Sequence, residues 1–111
     1  MAVAKTTGRG WAKKIGIVDT MFSRGDMGAL AIEVMGRAAK ENGWKIAITR
    51  RTVPGVKDIP LALLNLLEGG CFAAIAFGMP GHMPIDKQCS HEASLGIAQV
   101  QLMTRKIVLE C

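Results

Sequence analysis

Cys71-Phe72-Ala73-Ala74-Ile75-Ala76-Phe77 is an unbroken apolar run, bounded by Gly69-Gly70 before it and Gly78 after it. It is too short to cross a bilayer. An apolar run of this length between glycine breaks reads as a strand buried on both faces, the mark of a central position in a parallel sheet. Parallel neighbours need crossover connections long enough to hold a helix. The flanking segments should therefore alternate between helix and strand.

Upstream, Leu61 to Leu67 is apolar nearly all round and follows Ile59-Pro60, a tolerated start for a helix, with Asp58 placed to cap it. A helix of that kind must be covered on more than one side, by a crowded core or by a second subunit. Before it, Lys45 to Thr49 reads as a strand, and Arg50 to Gly55 as its exit and a rigid turn. Met27, Leu30, Ala31, Val34, Met35 and Ala38 mark one face of a further helix, with Ser23 and Asp26 at capping spacing and Asn42-Gly43 as its stop. Ile15 to Val18 is a β-branched strand ending at Asp19-Thr20, with a loop through Gly25. Residues 1–13 lack periodicity and read as a flexible arm.

Downstream, Gly78-Met79-Pro80-Gly81 forms an exit loop. From about Ile85 to Thr104 a third helix lines up Ile85, Cys89, Ala93, Gly96, Ile97 and Val100, with Leu95 opposite. Arg105 to Cys111 reads as a fourth strand. The order is β-α-β-α-β-α-β. It predicts an α/β fold: a three-layer open parallel sheet with right-handed crossovers and a flavodoxin-like strand order 2-1-3-4. A flanking helix normally covers the last strand of such a sheet, so residues 14–111 read as a single domain truncated at its C-terminal end.

Composition narrows the class. The chain has 111 residues, 50% of them hydrophobic, which suits one domain with a real core and excludes a mainly disordered polymer. No continuous apolar segment follows Lys5, Arg9, Lys13 and Lys14, so no secretory signal is read. Three cysteines without knuckle spacing fit reduced thiols in a cytoplasm better than a disulfide framework. The net charge of +5 is scattered, and five aromatic side chains are poor material for base stacking. A solvated basic surface is favoured over nucleic-acid binding. The chain lacks GxGxxG, Walker, GxSxG and CxxC motifs, so dinucleotide, nucleoside triphosphate and hydrolase readings have no support.

Ligands of open α/β sheets sit beyond the carboxyl ends of the strands. Three exits fall there: Asp19 to Arg24, Thr52 to Asp58, and Gly78 to His82. Together they suit a flat heterocycle with a polyhydroxyl tail. Phe22 either stacks on the ring or plugs the core. Pro54-Gly55 either approaches a ligand or simply turns the chain. Lys57 and Asp58 either bind hydroxyls or serve as solvated and capping residues. His91 and Glu92 are adjacent in a helix and do not share a face, so a metal site is weakly supported.

The segments KIGIVDTMFSRGDMG (14–28), RRTVPGVKDIPLA (50–62) and AFGMPG with DKQCSHEASLGIAQVQLMT (76–81 and 86–104) resemble archaeal-type riboflavin synthase, a family related to lumazine synthase. The resemblance implies a lumazine synthase-like domain in a homopentamer, with sites between subunits. It implies dismutation of two 6,7-dimethyl-8-ribityllumazine molecules to riboflavin and 5-amino-6-ribitylamino-pyrimidinedione. No organic cofactor is implied; a divalent cation such as Mg²⁺ is, without assignable ligands. Carried over, Thr20, Phe22, Val53, Pro54, Gly55, Lys57 and Asp58 hold the ring and ribityl chain. Gly78, Met79, Pro80 and Gly81 read the pyrimidine edge, Asp86 and Lys87 serve polar contact or proton traffic, His91 and Glu92 contact the neighbouring subunit's site, and Lys57, Asp58, Asp86, His91 and Glu92 are the catalytic candidates. The short GMPG exit favours riboflavin synthase over lumazine synthase, which usually carries a longer phosphate-handling loop there. A non-catalytic flavin- or lumazine-binding module is the third reading.

Overall fold

The computed structural model describes residues 13–20, 26–78 and 84–110, without the Asp86 side chain. Its elements are β1 (Lys13–Thr20), α1 (Met27–Asn42), β2 (Ile46–Val53), a 3₁₀ turn (Val56–Asp58), α2 (Ile59–Glu68), β3 (Ala73–Phe77), α3 (Pro84–Thr104) and β4 (Ile107–Glu110). All strand pairs are parallel, in the spatial order β2-β1-β3-β4. The expected topology is therefore observed.

The alternation of side chains along each strand divides the core in two. Val18, Ala74, Ala76 and Val108 face α2 and α3, meeting Leu63, Leu66, Leu67, Ile97 and Val100. Ile17, Ile48 and Phe77 face the other way, toward Met27, Ala31, Ile32 and Met35 of α1. α2 meets α3 where Pro60 occupies the space a side chain at residue 96 would need: a Cβ on Gly96 would lie 2.8 Å from Pro60 Cγ. Lys106 then joins β4 to α2, its Nζ donating to the carbonyls of Leu67 (2.6 Å) and Cys71 (2.7 Å).

Several boundaries and faces differ from the sequence expectation. β2 runs on to Val53 where its end was expected at Thr49. Consecutive arginines are tolerated because β2 is an edge strand, with Arg50 and Arg51 alternating between its two faces. The covered stripe of α1 is turned by about one position: Gly28 and Ala39 are buried, Ile32 is partly buried, and Leu30 and Val34 are exposed. The α1 stop is as expected, with Gly43 in the left-handed region at φ 70°. Ile85, expected on the core face of α3, is exposed; Leu95 is exposed as expected. β1 begins one residue inside the expected arm, and β4 starts at Ile107 because Arg105 turns the chain at φ 57°. Ile107 and Leu109 share the α1 side of the sheet with their partners Ala73 and Ile75, and both are exposed.

Candidate active site

The ends of β1, β2, β3 and β4 bring Thr20, Val53, Gly78 and Glu110 to one edge of the sheet. Beyond β3 and β4 lies a cavity of about 200 Å³, lined by Val56, Ile59, Gly78, Ser90, Ser94 and Glu110 among others. Val56 and Ile59 form one wall, Ser90 and Ser94 the other. The two serines are one helical turn apart and so share a face of α3. Ser94 Oγ donates to Glu110 Oε1 at 2.7 Å, fixing the carboxylate at the rim. The wall at Gly78 is close: a Cβ there would lie 3.1 Å from Val56 Cγ1.

The turn between β2 and α2 has internal reasons for its shape. Asp58 makes no side-chain cap to α2, contrary to expectation; its Oδ2 instead accepts from the Gly55 amide at 3.1 Å. The Asp58 amide donates to the Gly55 carbonyl at 3.0 Å, closing the turn. Asp58 is thus engaged in holding Pro54-Gly55. Lys57 reaches across to α3, its Nζ lying 3.2 Å from Glu92 Oε2. The hydrogen bond from Lys57 to Glu92, seconded by the charge, raises the Lys57 pKa above its ordinary value. Lys57 therefore acts as a cation at neutral pH, suited to donating hydrogen bonds and not to removing protons.

Among the residues singled out from sequence, Val53, Gly55, Lys57, Asp58, Gly78 and Glu92 fall around the β2 and β3 exits. Pro54 is exposed on the turn, and Thr20 is buried at the end of β1. His91 is exposed on α3, beside Glu92 in sequence. Phe22, Met79, Pro80 and Gly81 lie outside the described residues, as does the Asp86 side chain. Cys89 is half-buried, where a core position was expected. Among the described residues no three His, Cys, Asp or Glu side chains converge to hold a metal ion. These described residues do not compose a Mg²⁺ site.

Sequence reading missed a charged cluster at the β1 exit. Asp19 is 2% exposed. Its Oδ1 accepts from Thr52 Oγ1 at 2.7 Å, and its Oδ2 from Arg50 Nε at 3.1 Å and from Arg50 Nη2. The same Nη2 donates to Asp26 Oδ1, which also caps α1 through the Ala29 amide at 3.0 Å. The Ala29 hydrogen bond first, and Arg50 second, lower the Asp26 pKa. Asp19 and Asp26 in turn raise that of Arg50. A buried carboxylate demands such partners, but Asp19 and Arg50 are far apart in sequence and meet only through strand register.

The lowered Asp26 pKa fixes the sign of a pH effect. Its folded value lies below its unfolded value, so its contribution is fully present above about pH 4 and is lost as pH falls through the folded value. Asp26→Ala should therefore lower Tm at pH 7, and the difference from the parent chain should narrow as pH falls below about 4. Thermal melts across that range test it; an unchanged gap at pH 2 would assign the cap to something other than the charge.

A cavity beyond the strand ends of an open parallel sheet lies where α/β domains of this class bind their ligands. Residues 12–111 match the family model described as 6,7-dimethyl-8-ribityllumazine synthase, and the chain belongs to that family. It is 50% identical over 98 residues to the riboflavin synthase of Methanothermobacter marburgensis, covering 87% of this chain and 61% of the relative. Against the riboflavin synthase of Aeropyrum pernix, identity is 41% over 98 residues, covering 88% and 61%. Against the 6,7-dimethyl-8-ribityllumazine synthase of Neisseria meningitidis it is 36% over 93 residues, covering 80% and 58%. The chain thus spans about three fifths of the length of these relatives. Among solved structures, the ligand-free, open form of a substrate-binding protein from Clostridium difficile superposes with a TM-score of 0.58 at 11% identity, covering 89% of this chain and 29% of that one. That likeness concerns the fold alone.

Proposed function

We propose that this chain forms the main part of a riboflavin synthase. Two molecules of 6,7-dimethyl-8-ribityllumazine exchange a four-carbon unit: one gives riboflavin, the other 5-amino-6-ribitylamino-pyrimidinedione. Donor and acceptor are the same compound and the exchange is internally balanced, so no outside oxidant enters. The observation that carries this reading is the 50% identity to a riboflavin synthase across nearly all of the chain.

The chemistry asks mainly for placement. Holding two rings face to face turns a bimolecular encounter into an effectively unimolecular one. In this reading the β3–β4 cavity takes part of one lumazine. Backbone at Gly55 and Gly78 approaches the ligand edge, and Lys57 donates to ribityl hydroxyls. At about 200 Å³ the cavity falls below the ~300–1,000 Å³ of ordinary small-molecule sites. A neighbouring copy in a homopentamer would supply the rest of the wall. Leu61 and Leu95, exposed on α2 and α3, offer apolar surface for that contact. His91 and Glu92 would then meet the adjoining site, where a base must take a proton from the ring's 7-methyl group. A cytoplasmic location belongs to this proposal; among the described residues no helix is long and apolar enough to cross a membrane.

The lumazine synthase relative supplies the competing reading. That reaction joins a pyrimidinedione to a four-carbon phosphate. The full-length protein, supplied with Mg²⁺ and dimethyl-ribityllumazine alone, should form riboflavin, followed by its fluorescence. Failure in that assay, with lumazine forming instead in a separate mixture of the pyrimidinedione and a four-carbon phosphate, would replace the first reading by the second. Tight lumazine binding without turnover in either assay would leave a binding module.

A further inference from the structure

Among the described residues lining the cavity beyond β3 and β4, Glu110 is the only charged one, and the proposed reaction gives it no task. Strand alternation puts it there. Val108 packs into the core against α3, so Glu110, two residues on, leaves the sheet on the same face. Its register partner on β3 is Ala76, and Gly78 follows at the β3 exit, so the floor beside the carboxylate is built of small residues. From the α3 side the half-buried Ser94 donates its Oγ proton to Glu110 Oε1 at 2.7 Å. An ionised carboxylate offers about four acceptor positions, so capacity remains toward the cavity. Val56, Ile59 and Ile97 make the rest of the wall apolar, and no lysine, arginine or histidine is among the described lining residues. Lys57, the cation of the β2 exit, is paired with Glu92. A group entering beside Glu110 gains by donating a hydrogen bond, whereas an anion meets a like charge with no counter-charge.

We propose that Glu110 sets the specificity of this cavity: its carboxylate accepts from the ring N–H of the lumazine's pyrimidinedione half and turns away phosphate-bearing ligands. One group thus favours one substrate class and rejects the other. The inference rests on the reading that a ribityllumazine occupies this cavity, but not on the dismutation itself.

The test uses the full-length protein, with 6,7-dimethyl-8-ribityllumazine, its analogue methylated at that ring nitrogen, and inorganic phosphate as probes. Affinity is read from ligand fluorescence and folding from Tm. Glu110→Gln keeps the shape and an acceptor for Ser94 but removes the charge. It should raise the Kd for the lumazine about tenfold, as a charge-assisted hydrogen bond becomes a neutral one, with Tm unchanged. The parent should prefer the lumazine to its methylated analogue, and Glu110→Gln should shrink that preference by about the same factor, since both changes act on one contact. Inorganic phosphate in excess should not displace the lumazine from the parent. Unchanged Kd and preference in Glu110→Gln would overturn the proposal, as would displacement of the lumazine by phosphate. So would equal losses for the two lumazines accompanied by a lower Tm, which would reduce Glu110 to a structural tie. Ser90→Phe tells this failure from failure of the reading beneath it. Loss of binding in Ser90→Phe with none in Glu110→Gln keeps the cavity as the site and removes only the role of Glu110. Full binding in Ser90→Phe removes both.

Discussion

Arg50→Met should lower stability by about 3 kcal/mol, the scale measured when one partner of a buried ion pair is removed. The loss has a definite origin. Asp19 is 2% exposed and would be left with Thr52 Oγ1 as its remaining side-chain donor. Removing the guanidinium deletes two of its three hydrogen bonds while leaving the cost of burying the carboxylate in place. For a domain near 100 residues this should move Tm down by roughly 10–20 °C. The double variant Asp19→Asn/Arg50→Met should recover most of it, because the charge that suffers is then gone. A double variant as unstable as Arg50→Met alone would mean that packing of the arginine stem, and not the stranded charge, carries the effect.

The fold was largely legible because periodicity reports burial. The apolar run Cys71–Phe77 could only be central, and three helix-length intervals forced parallel pairing. What periodicity could not give is the direction in which one element faces another. The α1 stripe read from sequence included Leu30 and Val34, yet both are exposed. The sheet selects Gly28 and Ile32 instead, since α1 must clear the Arg50–Asp19 pair, and only a residue without a Cβ passes it. Local propensity likewise ended β2 at Thr49. An edge strand can carry Arg50 and Arg51 onward because one face meets a buried acid and the other lies open.

The candidate site was legible in part, and the division follows the same physics. Residues that act through local backbone, such as Gly55 and Gly78, stand out as turn chemistry. Lys57 stood out as a charge in that turn, but its partner Glu92 lies 35 positions away on α3 and no local pattern links them. Asp58 shows the reverse error: its spacing suits a cap for α2, yet the turn before it competes for the same carboxylate and wins through the Gly55 amide. Glu110 lies in no motif, and Ser90 and Ser94, though inside the 86–104 segment, carry no local sign of a shared wall. They become a cavity wall only because α3 crosses beneath the end of β4.

That wall supports the second large effect. Ser90→Phe should weaken binding of 6,7-dimethyl-8-ribityllumazine by about 100-fold, equivalent to ~2.7 kcal/mol. Ser90 is half-buried on α3 and lines a cavity of about 200 Å³, so a phenyl group there fills much of the space a ring would take. The strain of overpacking should stay small, because the side chain enters a void and does not displace core atoms such as those of Ala93 or Ile97. Tm should therefore remain within a few degrees of the parent. Ser90→Ala, which removes one hydroxyl and adds no bulk, should bind within about threefold of the parent. The pair separates occlusion from polar contact: a large loss with phenylalanine alone means that the ligand occupies the cavity, whereas equal losses mean that the serine hydroxyl was the contact. Undiminished affinity in Ser90→Phe would remove the β3–β4 cavity from the site.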